Sequence, residues 1–174
     1  MHGTLFLIVG PSGAGKDTLI AAARERLRDG YLFQQRTIAR PVQPGGEVHI
    51  PDDATSFEAH ESAGAFALSW RAHGTAYGIP ATIAADLARG THLVVNVSRT
   101  VVAKARAQFQ PSRVVLVTAS PAVLDQRLHA RGREDQGGID ERLGRVAKVQ
   151  AHTVIVNDGA LEPAIDAFVT ALKG

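Results

Sequence analysis

The chain contains no cysteine among its 174 residues, and this absence removes several kinds of chemistry. Disulfides, thiolate metal sites and thiol nucleophiles all need cysteine, so each of them is excluded. Aromatic residues make up only 5% of the sequence, and no run of Lys and Arg is interleaved with Phe or Tyr. We therefore expect no nucleic-acid partner, since a surface for single strands needs stacked rings beside basic residues.

Charge of one sign and long apolar runs are also scarce. The formal net charge is only +2, so the surface is not predicted to be strongly basic. The apolar stretch at 4–9 is far too short for a signal peptide or a membrane span. We predict a cytoplasmic protein that has no membrane partner and that uses its cations on small anionic ligands.

The pattern of apolar residues indicates an α/β protein. Strand-like runs occur at 5–9, 93–97, 114–118 and 154–156, and a segment of helical period follows each of them. This alternation is typical of a parallel sheet covered on both faces. The predicted helices are 16–28, 81–89, 100–108, 121–130, 140–151 and 161–172.

Two stretches interrupt the alternation. Residues 36–80 are rich in Gly, Pro and Asp and predict an insert of short strands and turns with one short helix at 56–62, too polar to form core. Residues 131–142 carry three glycines and charges of both signs, which is typical of a mobile lid. At 174 residues the chain is predicted to be a single domain, 1–174, that includes both stretches.

A phosphate-binding loop follows the first apolar run directly. Glycines let the backbone bend so that successive N–H groups point at phosphate oxygens, and the next helix adds its positive dipole end. A lysine then places a point charge on the transferable phosphate. The predicted ATP-binding residues of the loop are Gly10, Pro11, Ser12, Gly13, Ala14, Gly15 and Lys16.

The position after the lysine departs from the usual motif. A Ser or Thr hydroxyl normally ligates Mg²⁺ there, whereas this chain has Asp17, followed by Thr18. A carboxylate is also a hard oxygen ligand for Mg²⁺. We predict that Asp17 and Thr18 face the metal, with a carboxylate that merely favours the helix dipole as the alternative for Asp17.

Several motifs together resemble the guanylate kinase family over essentially the whole chain. They are GPSGAGKDT, RTIARP, FALSWRAHGTAYGIP, RLHARGRE and VNDG, in the family's order. The resemblance implies a P-loop NTPase fold with a five-stranded parallel sheet, an ATP donor with Mg²⁺, and an acceptor held in the insert. It also implies that Arg131 and Arg142 clamp phosphate as catalytic residues with Lys16, and that Arg127 and Asn157 lie near the adenine.

The acceptor site departs from that family. Guanylate kinases read guanine with a Glu before the Trp and a Thr or Ser after Tyr-Gly, whereas this chain has Ser69 and Ile79. The acidic residue of the later strand is replaced by Asn96. A base whose polar edge is left without partners binds poorly, so the pocket is not predicted to select guanine.

The motifs GKDT, RTIARP, SWRAHG and VNVSR resemble the subfamily that phosphorylates ribose 1,5-bisphosphate. This resemblance implies transfer from ATP to the 1-phosphate, giving 5-phosphoribosyl 1-diphosphate during phosphonate breakdown. The partner is then a small phosphorylated sugar. The candidate substrate-binding residues are Arg36, Arg40, Ser69, Arg71, Tyr77, Asn96 and Arg99.

Two other functions and several residue roles stay open at this point. A guanylate or other nucleoside monophosphate kinase is the alternative, and a non-catalytic protein-binding module of the same fold is a more distant one. Trp70 is predicted to pack rather than to bind. The sequence does not decide the oligomeric state, for which a homodimer is one alternative, or the roles of His49, His60, His73, Glu47 and Glu61.

Overall fold

A computed structural model describes residues 2–42, 44, 47–130 and 150–174 of the chain. The predicted lid at 131–142, with Arg131 and Arg142, lies outside the described residues. Most of the helix predicted at 140–151 also falls outside them. The chain divides into two compact units, one comprising Met1–Leu7 and Asp29–Ser112 and the other Ile8–Arg28 and Arg113–Gly174.

Strands and helices alternate along the described residues. The strands are β1 (Leu5–Val9), β2 (Tyr31–Gln34), β3 (Thr37–Ile38), β4 (Ile50–Pro51), β5 (Phe66–Ala72), β6 (Thr75–Pro80), β7 (His92–Asn96), β8 (Ser112–Thr118) and β9 (Thr153–Val156). The helices are α1 (Lys16–Arg26), α2 (Ala54–Ser62), α3 (Ile83–Ala88), α4 (Val102–Gln108), α5 (Pro121–Ala130) and α6 (Leu161–Lys173). A 3-10 turn, Arg99–Val101, leads into α4.

The larger sheet confirms the predicted α/β class. It is a five-stranded parallel sheet with the order β2-β7-β1-β8-β9, and its helices flank it. All five residues of the central strand β1 are buried, as expected for a strand covered on both faces. The four predicted runs correspond to β1, β7, β8 and β9, whereas β2 was not predicted because only Phe33 of this edge strand is buried.

In helix α6 the buried residues repeat with the helical period that the sequence pattern predicts. In α6, Ala164, Ile165, Phe168, Val169 and Leu172 are buried, and this spacing places them along one side of the helix. Beside that stripe, exposed Glu162 and Asp166 pair with Arg26 of α1 at 2.7 and 2.6 Å. The prediction of a helix at 161–172 is confirmed to within one residue.

The insert forms a second sheet with the order β4-β3-β6-β5. Its hairpin joins β5 to β6 through His73 and Gly74, whose φ values are +50° and +72°. Positive φ at both central residues is the geometry that suits the twist of a two-residue hairpin. The register places Trp70 opposite Tyr77 and Ser69 opposite Gly78.

The insert has its own core, so the expectation that it is too polar for one is wrong. Phe57 of α2, Leu68 of β5 and Ile79 of β6 are all 0% exposed. Phe57 also stacks on Phe66 with ring centroids 4.6 Å apart. The apolar residues are spread thinly along 54–80. The sheet register pairs Leu68 with Ile79, and helix α2 brings Phe57 onto Phe66.

Helix α2 begins two residues earlier along the chain than the sequence indicates. Asp53 caps it, because its carboxylate accepts hydrogen bonds from the Ser56 backbone N–H at 2.9 Å and from the Ser56 hydroxyl at 2.7 Å. These bonds also lower the pKa of Asp53, since they favour the ionised carboxylate. The cap fixes where the helix that carries Phe57 starts.

We predict that Phe57→Ala lowers the free energy of unfolding by about 3–5 kcal/mol, because it removes a fully buried ring from a small core. Urea denaturation followed by circular dichroism measures this loss. Thr55→Ala is the matched control, since Thr55 is exposed on the same helix and its replacement should change the value by under about 0.5 kcal/mol. A loss under about 1 kcal/mol for Phe57→Ala would contradict the assignment of this core.

Candidate active site

The GPSGAGK segment forms a tight loop between β1 and α1. Gly10, Gly13 and Gly15 have φ values of +151°, +84° and +90°, a region that residues with a Cβ rarely adopt. Space is also limiting, because a Cβ on Gly10 would lie 1.9 Å from the carbonyl oxygen of Val117. The loop therefore needs glycine for two independent reasons.

Helix α1 begins at the end of this loop. Gly15 is its N-cap residue, and glycine has no side chain that could cap the first N–H groups. These donors and the positive end of the helix dipole are the features that bind phosphate in such loops. The geometry of the loop thus fits the predicted nucleotide site.

The Lys16 ammonium lies over the loop. Its Nζ donates to the carbonyl oxygen of Gly10 at 2.7 Å and to that of Pro11 at 2.9 Å. The side chain is therefore folded back toward the loop rather than extended into solvent. An ammonium at this place can exchange carbonyl oxygens for phosphate oxygens over a short distance.

Asp17 and Thr18 are both exposed on the first turn of α1. Their carboxylate and hydroxyl oxygens are hard donors of the kind that Mg²⁺ prefers. Because the ion usually keeps several waters and binds substrate phosphates, two protein oxygens beside a phosphate loop fit it. Among the described residues, no group of three or more His, Asp or Glu side chains could hold a metal ion by itself.

Arg127 and Asn157, predicted near the adenine, both contact the phosphate loop. Arg127 donates to the carbonyl oxygen of Gly13 at 3.1 Å and to that of Asn157 at 2.9 Å. The Asn157 side-chain amide donates to the carbonyl oxygen of Ala14 at 2.9 Å. The structure thus places them against the loop itself, and their contact with adenine stays a prediction.

Arg36 and Tyr77 come together on one face of the small sheet. The Arg36 guanidinium lies 5.0 Å from the centre of the Tyr77 ring, and that ring stacks on Trp70 with centroids 5.4 Å apart and planes 4° apart. Trp70 is only 7% exposed, in agreement with its predicted packing role. This stack holds the Arg36 side chain in one position.

Glu47 grips the same guanidinium. Its Oε1 accepts from Arg36 Nε at 2.7 Å, and its Oε2 accepts from a terminal nitrogen of Arg36. The two side chains are 13% and 17% exposed, so this is a largely buried bidentate ion pair. The sequence left Glu47 undecided, and the structure shows that it pairs with an arginine.

Ser69 and Arg71 lie on the opposite face. Side chains alternate along a strand, so these two residues of β5 point away from the face that carries Trp70. Arg71 donates to the two carboxylate oxygens of Glu61 at 3.1 and 2.6 Å, and its guanidinium lies 5.2 Å from the Phe57 ring centre. The predicted acceptor set is therefore divided, because Ser69 and Arg71 are not brought together with Arg36 and Tyr77.

The electrostatics of Glu61 follow from this arrangement. Hydrogen bonds from Arg71 and from the Ser69 hydroxyl, with the positive charges of Arg71 and Lys104, lower the pKa of Glu61 from 4.5 to about 2. The same pairing raises the pKa of Arg71. Glu61, undecided from sequence, thus ties α2 to β5 as an ionised carboxylate.

The remaining candidates of the insert occupy less defined positions. Arg40 and Arg99 are half-buried and Asn96 is buried at the end of β7. Buried His49 lies between two carbonyl oxygens, with Nδ1 2.9 Å from that of Glu47 and Nε2 3.1 Å from that of Arg40. Their roles in binding an acceptor stay predictions.

The other two histidines have structural surroundings that the sequence did not indicate. His60 Nδ1 lies 2.9 Å from a carboxylate oxygen of Asp52, and His73 occupies the β5–β6 turn. Neither position contributes to the Arg36 and Tyr77 cluster. Arg131 and Arg142 lie outside the described residues, so their predicted clamp is not placed.

One residue of the site was not singled out from sequence. The Asp158 carboxylate accepts a hydrogen bond from the Ser120 backbone N–H just before α5. Asp158 belongs to the VNDG motif, so the motif carried the signal although the residue received no role. It joins the segment after β9 to the start of α5.

Comparison with known proteins relates this site to a family. A family model described as AAA domain matches residues 5–153. Ribose 1,5-bisphosphate phosphokinase PhnN from Chromobacterium violaceum is 45% identical over 99% of this chain and 95% of its own length. The protein of the same name from Acidiphilium cryptum is 49% identical over 98% of this chain and 92% of its own length.

This chain belongs to the AAA domain family and, within it, to the ribose 1,5-bisphosphate phosphokinases. Among solved structures, a guanylate kinase from Anaplasma phagocytophilum superposes with a TM-score of 0.74, covering 99% of this chain and 85% of its own. At 15% identity that likeness shows the fold alone. The resemblances drawn from the motifs are thus confirmed for fold and family, and so is the main functional prediction of a kinase.

One further observation concerns membranes. Among the described residues, no helix combines the length and the apolar character that crossing a membrane requires.

We predict that Lys16→Ala leaves the protein folded but lowers kcat by a factor on the order of 10²–10³, because it removes a preorganised cation from the transferred phosphoryl group. Steady-state kinetics with ATP measures the effect. Lys173→Ala, at the exposed end of α6 in the same unit, is the control and should keep normal turnover. Near-normal turnover of the Lys16 variant would remove this lysine from the mechanism.

We also predict a pH-dependent role for the Glu61–Arg71 pair. A carboxylate whose pKa is lowered stabilises the folded state above its unfolded pKa and loses that contribution as the pH falls through its folded value. Glu61→Gln should therefore lower the melting temperature at pH 7, by the equivalent of under ~1 kcal/mol for such an exposed pair. The difference from wild type should shrink between pH 5 and pH 2.

Thermal melts across this pH range test the expectation. The control is Glu25→Gln, because Glu25 is exposed on α1. A difference that stays constant down to pH 2 would show that the charge of Glu61 is not what ties α2 to β5.

Proposed function

We propose that this chain transfers the γ-phosphoryl group of ATP to the 1-phosphate of ribose 1,5-bisphosphate. A 1-phosphate oxygen forms a bond to the γ-phosphorus while the bond to the β–γ bridging oxygen breaks. The products are 5-phosphoribosyl 1-diphosphate and ADP. The observation that carries the proposal is a glycine-dependent phosphate loop in a chain that is 45% identical to a ribose 1,5-bisphosphate phosphokinase over nearly its whole length.

The nucleophile of this reaction is already an oxyanion, so no side chain has to remove a proton. Catalysis then depends on holding two polyanions in line and on neutralising charge as the phosphoryl group moves. Lys16 serves the donor side, since its Nζ lies within 2.9 Å of two loop carbonyl oxygens and can turn to the γ-phosphate. Backbone N–H groups of the loop, that of Gly15 among them, are proposed to hold the remaining phosphates.

Mg²⁺ is the second cation of the proposal. Asp17 and Thr18 would hold it together with phosphate oxygens, and the ion would neutralise charge on the β- and γ-phosphates. Arg131 and Arg142 are proposed to clamp the transferred group, and Arg127 and Asn157 are proposed as part of the nucleotide site.

The acceptor is proposed to bind on the face of the small sheet that carries Arg36 and Tyr77, with Arg40 as a further candidate cation. The bidentate contact with Glu47 supports this choice, because it shows that one edge of Arg36 fits an oxyanion with two oxygens in a plane. An acceptor phosphate would compete with Glu47 for that edge. Arg99 and Asn96 are candidates to bind the second phosphate and a sugar hydroxyl.

We also propose that the protein is cytoplasmic and has no nucleic-acid or membrane partner.

A nucleoside monophosphate as the acceptor is less well supported. Ile79, at a position where guanylate kinases are expected to present a hydroxyl, is 0% exposed and lies opposite Leu68 in the sheet. Both groups are apolar, so this pair offers no partner to a base.

The deciding experiment compares ribose 1,5-bisphosphate, GMP and AMP as acceptors in a coupled assay of ADP formation, with ³¹P NMR of the product. We predict rapid turnover only with ribose 1,5-bisphosphate and a new diphosphate on carbon 1. Arg40→Ala should raise the KM for the acceptor by about tenfold while the KM for ATP stays within twofold, since a phosphate loses one charged hydrogen-bond donor. Efficient phosphorylation of GMP with inert ribose 1,5-bisphosphate would favour a nucleotide kinase.

Arg89→Ala is the matched control for this arginine. Arg89 is exposed at the end of α3 in the same unit and pairs with Asp86. Its loss should therefore leave both KM values unchanged. An equal rise in the acceptor KM for both variants would mean that general surface charge, not Arg40, attracts the substrate.

A further inference from the structure

Two side chains donate hydrogen bonds to carbonyl groups of the phosphate loop. Arg127, on α5, donates to the Gly13 carbonyl oxygen at 3.1 Å. Asn157, just after β9, donates to the Ala14 carbonyl oxygen at 2.9 Å. Two consecutive peptide groups of the loop are therefore fixed by side chains that lie 114 and 143 residues further along the chain.

The direction of these contacts sets the direction of the loop's donors. A peptide group is planar and trans, so its N–H points away from its C=O. Because the Ala14 carbonyl faces Asn157, the N–H of Gly15 faces the opposite side. By the same geometry, the contact between Arg127 and the Gly13 carbonyl sets the direction of the Ala14 N–H, which donates to the Pro11 carbonyl oxygen at 3.3 Å and closes a turn inside the loop. Arg127 therefore supports the turn, and Asn157 directs the N–H that can bind an anion.

Asn157 is built into the loop rather than resting beside it. Asn157 is only 3% exposed. A Cβ added to Gly15 would lie 2.4 Å from the Nδ2 atom of Asn157. Its backbone N–H donates to the Thr118 carbonyl oxygen at 2.8 Å. A residue buried to this degree, with its amide donor on the loop, is poorly placed to read a base.

Arg127 links both halves of this arrangement. One of its terminal nitrogens reaches Gly13, and the other donates to the Asn157 carbonyl oxygen at 2.9 Å. Helix α5 also packs directly on Gly13, since a Cβ there would lie 3.6 Å from the Leu128 side chain and 3.8 Å from the Cβ of Arg127. The planar fork of arginine suits two acceptors at fixed positions.

We propose that Arg127 and Asn157 are positioning residues that hold the turn of the phosphate loop and orient the N–H group of Gly15 toward the triphosphate. This inference rests on the proposed function only in that the loop binds nucleotide phosphates. It differs from the adenine-contact prediction in a measurable way. A brace on the loop affects every ligand with a triphosphate, whereas a contact with adenine affects ATP alone.

The test is isothermal titration of the full chain with the Mg²⁺ complexes of ATP, GTP and tripolyphosphate. Asn157→Asp removes the Nδ2 donor at constant size and turns a carboxylate oxygen toward the Ala14 carbonyl. We expect it to weaken the binding of all three ligands about tenfold and to the same degree, since a buried acceptor loses its partner. Arg127→Lys should act in the same direction, because an ammonium cannot span both carbonyl groups.

Two controls match these changes. Asp125→Asn is the converse exchange at an exposed position of α5, where the carboxylate lies near His129 instead of the loop. Arg26→Lys changes an arginine of the same unit that pairs with Glu162 and Asp166 instead of the loop. Both controls should bind the three ligands within twofold of wild type.

The outcomes are distinguishable. A loss confined to ATP would overturn the brace in favour of an adenine contact, and unchanged affinities with a lowered melting temperature would reduce both residues to a structural role. If Asn157→Asp does not fold, the same criteria applied to Arg127→Lys decide. Wild-type protein that binds none of the ligands would overturn the nucleotide site and the brace together, whereas normal binding without turnover of ribose 1,5-bisphosphate would overturn the proposed reaction alone.

Discussion

The backbone geometry of the phosphate loop is the feature on which the nucleotide site depends. An ordinary chain does not adopt this geometry, because three positions of the loop have positive φ. Gly10, Gly13 and Gly15 satisfy the backbone requirement. The carbonyl groups behind the loop meet donors from α5 and from the segment after β9, so an unfavourable local geometry is offset by contacts from distant parts of the chain.

On the acceptor side the deciding constraint is the alternation of side chains in β5 and β6. The two-residue turn at His73 and Gly74 fixes the register, and the register places Trp70 with Tyr77 on one face. Because side chains alternate along a strand, Ser69 lies on the other face, where Glu61 and Arg71 form an ion pair. One short turn thus determines which polar groups can act together on a single ligand.

These two constraints explain what the sequence could and could not predict. The phosphate loop, β1 and α6 could be predicted because their signals are local: closely spaced glycines, an unbroken apolar run, and a helical period. The pairing of Arg36 with Glu47 and of Arg71 with Glu61 could not be predicted. Each partner lies ten or eleven residues away, with a turn or a helix end between the two residues. Ser69 was assigned by its place beside Trp70, and adjacency in sequence means opposite faces on a strand. The contacts of Arg127 and Asn157 with the loop span more than a hundred residues, so the motifs marked both residues without indicating what they touch.

A fold shared with guanylate kinases can serve a sugar phosphate because the two parts of the site make different demands. The donor loop recognises phosphates through backbone groups, and backbone geometry survives wide changes in sequence, as the 15% identity at a TM-score of 0.74 illustrates. The acceptor face proposed above depends on side chains, and its apolar residues Leu68 and Ile79 are both 0% exposed. On this proposal the stacked arginine discriminates by charge rather than by hydrogen-bond pattern. Since the attacking oxygen of a sugar phosphate is already ionised, the proposed face needs only cations held at fixed positions, and the Arg36–Tyr77–Trp70 stack is a candidate for that rigid support without a general base.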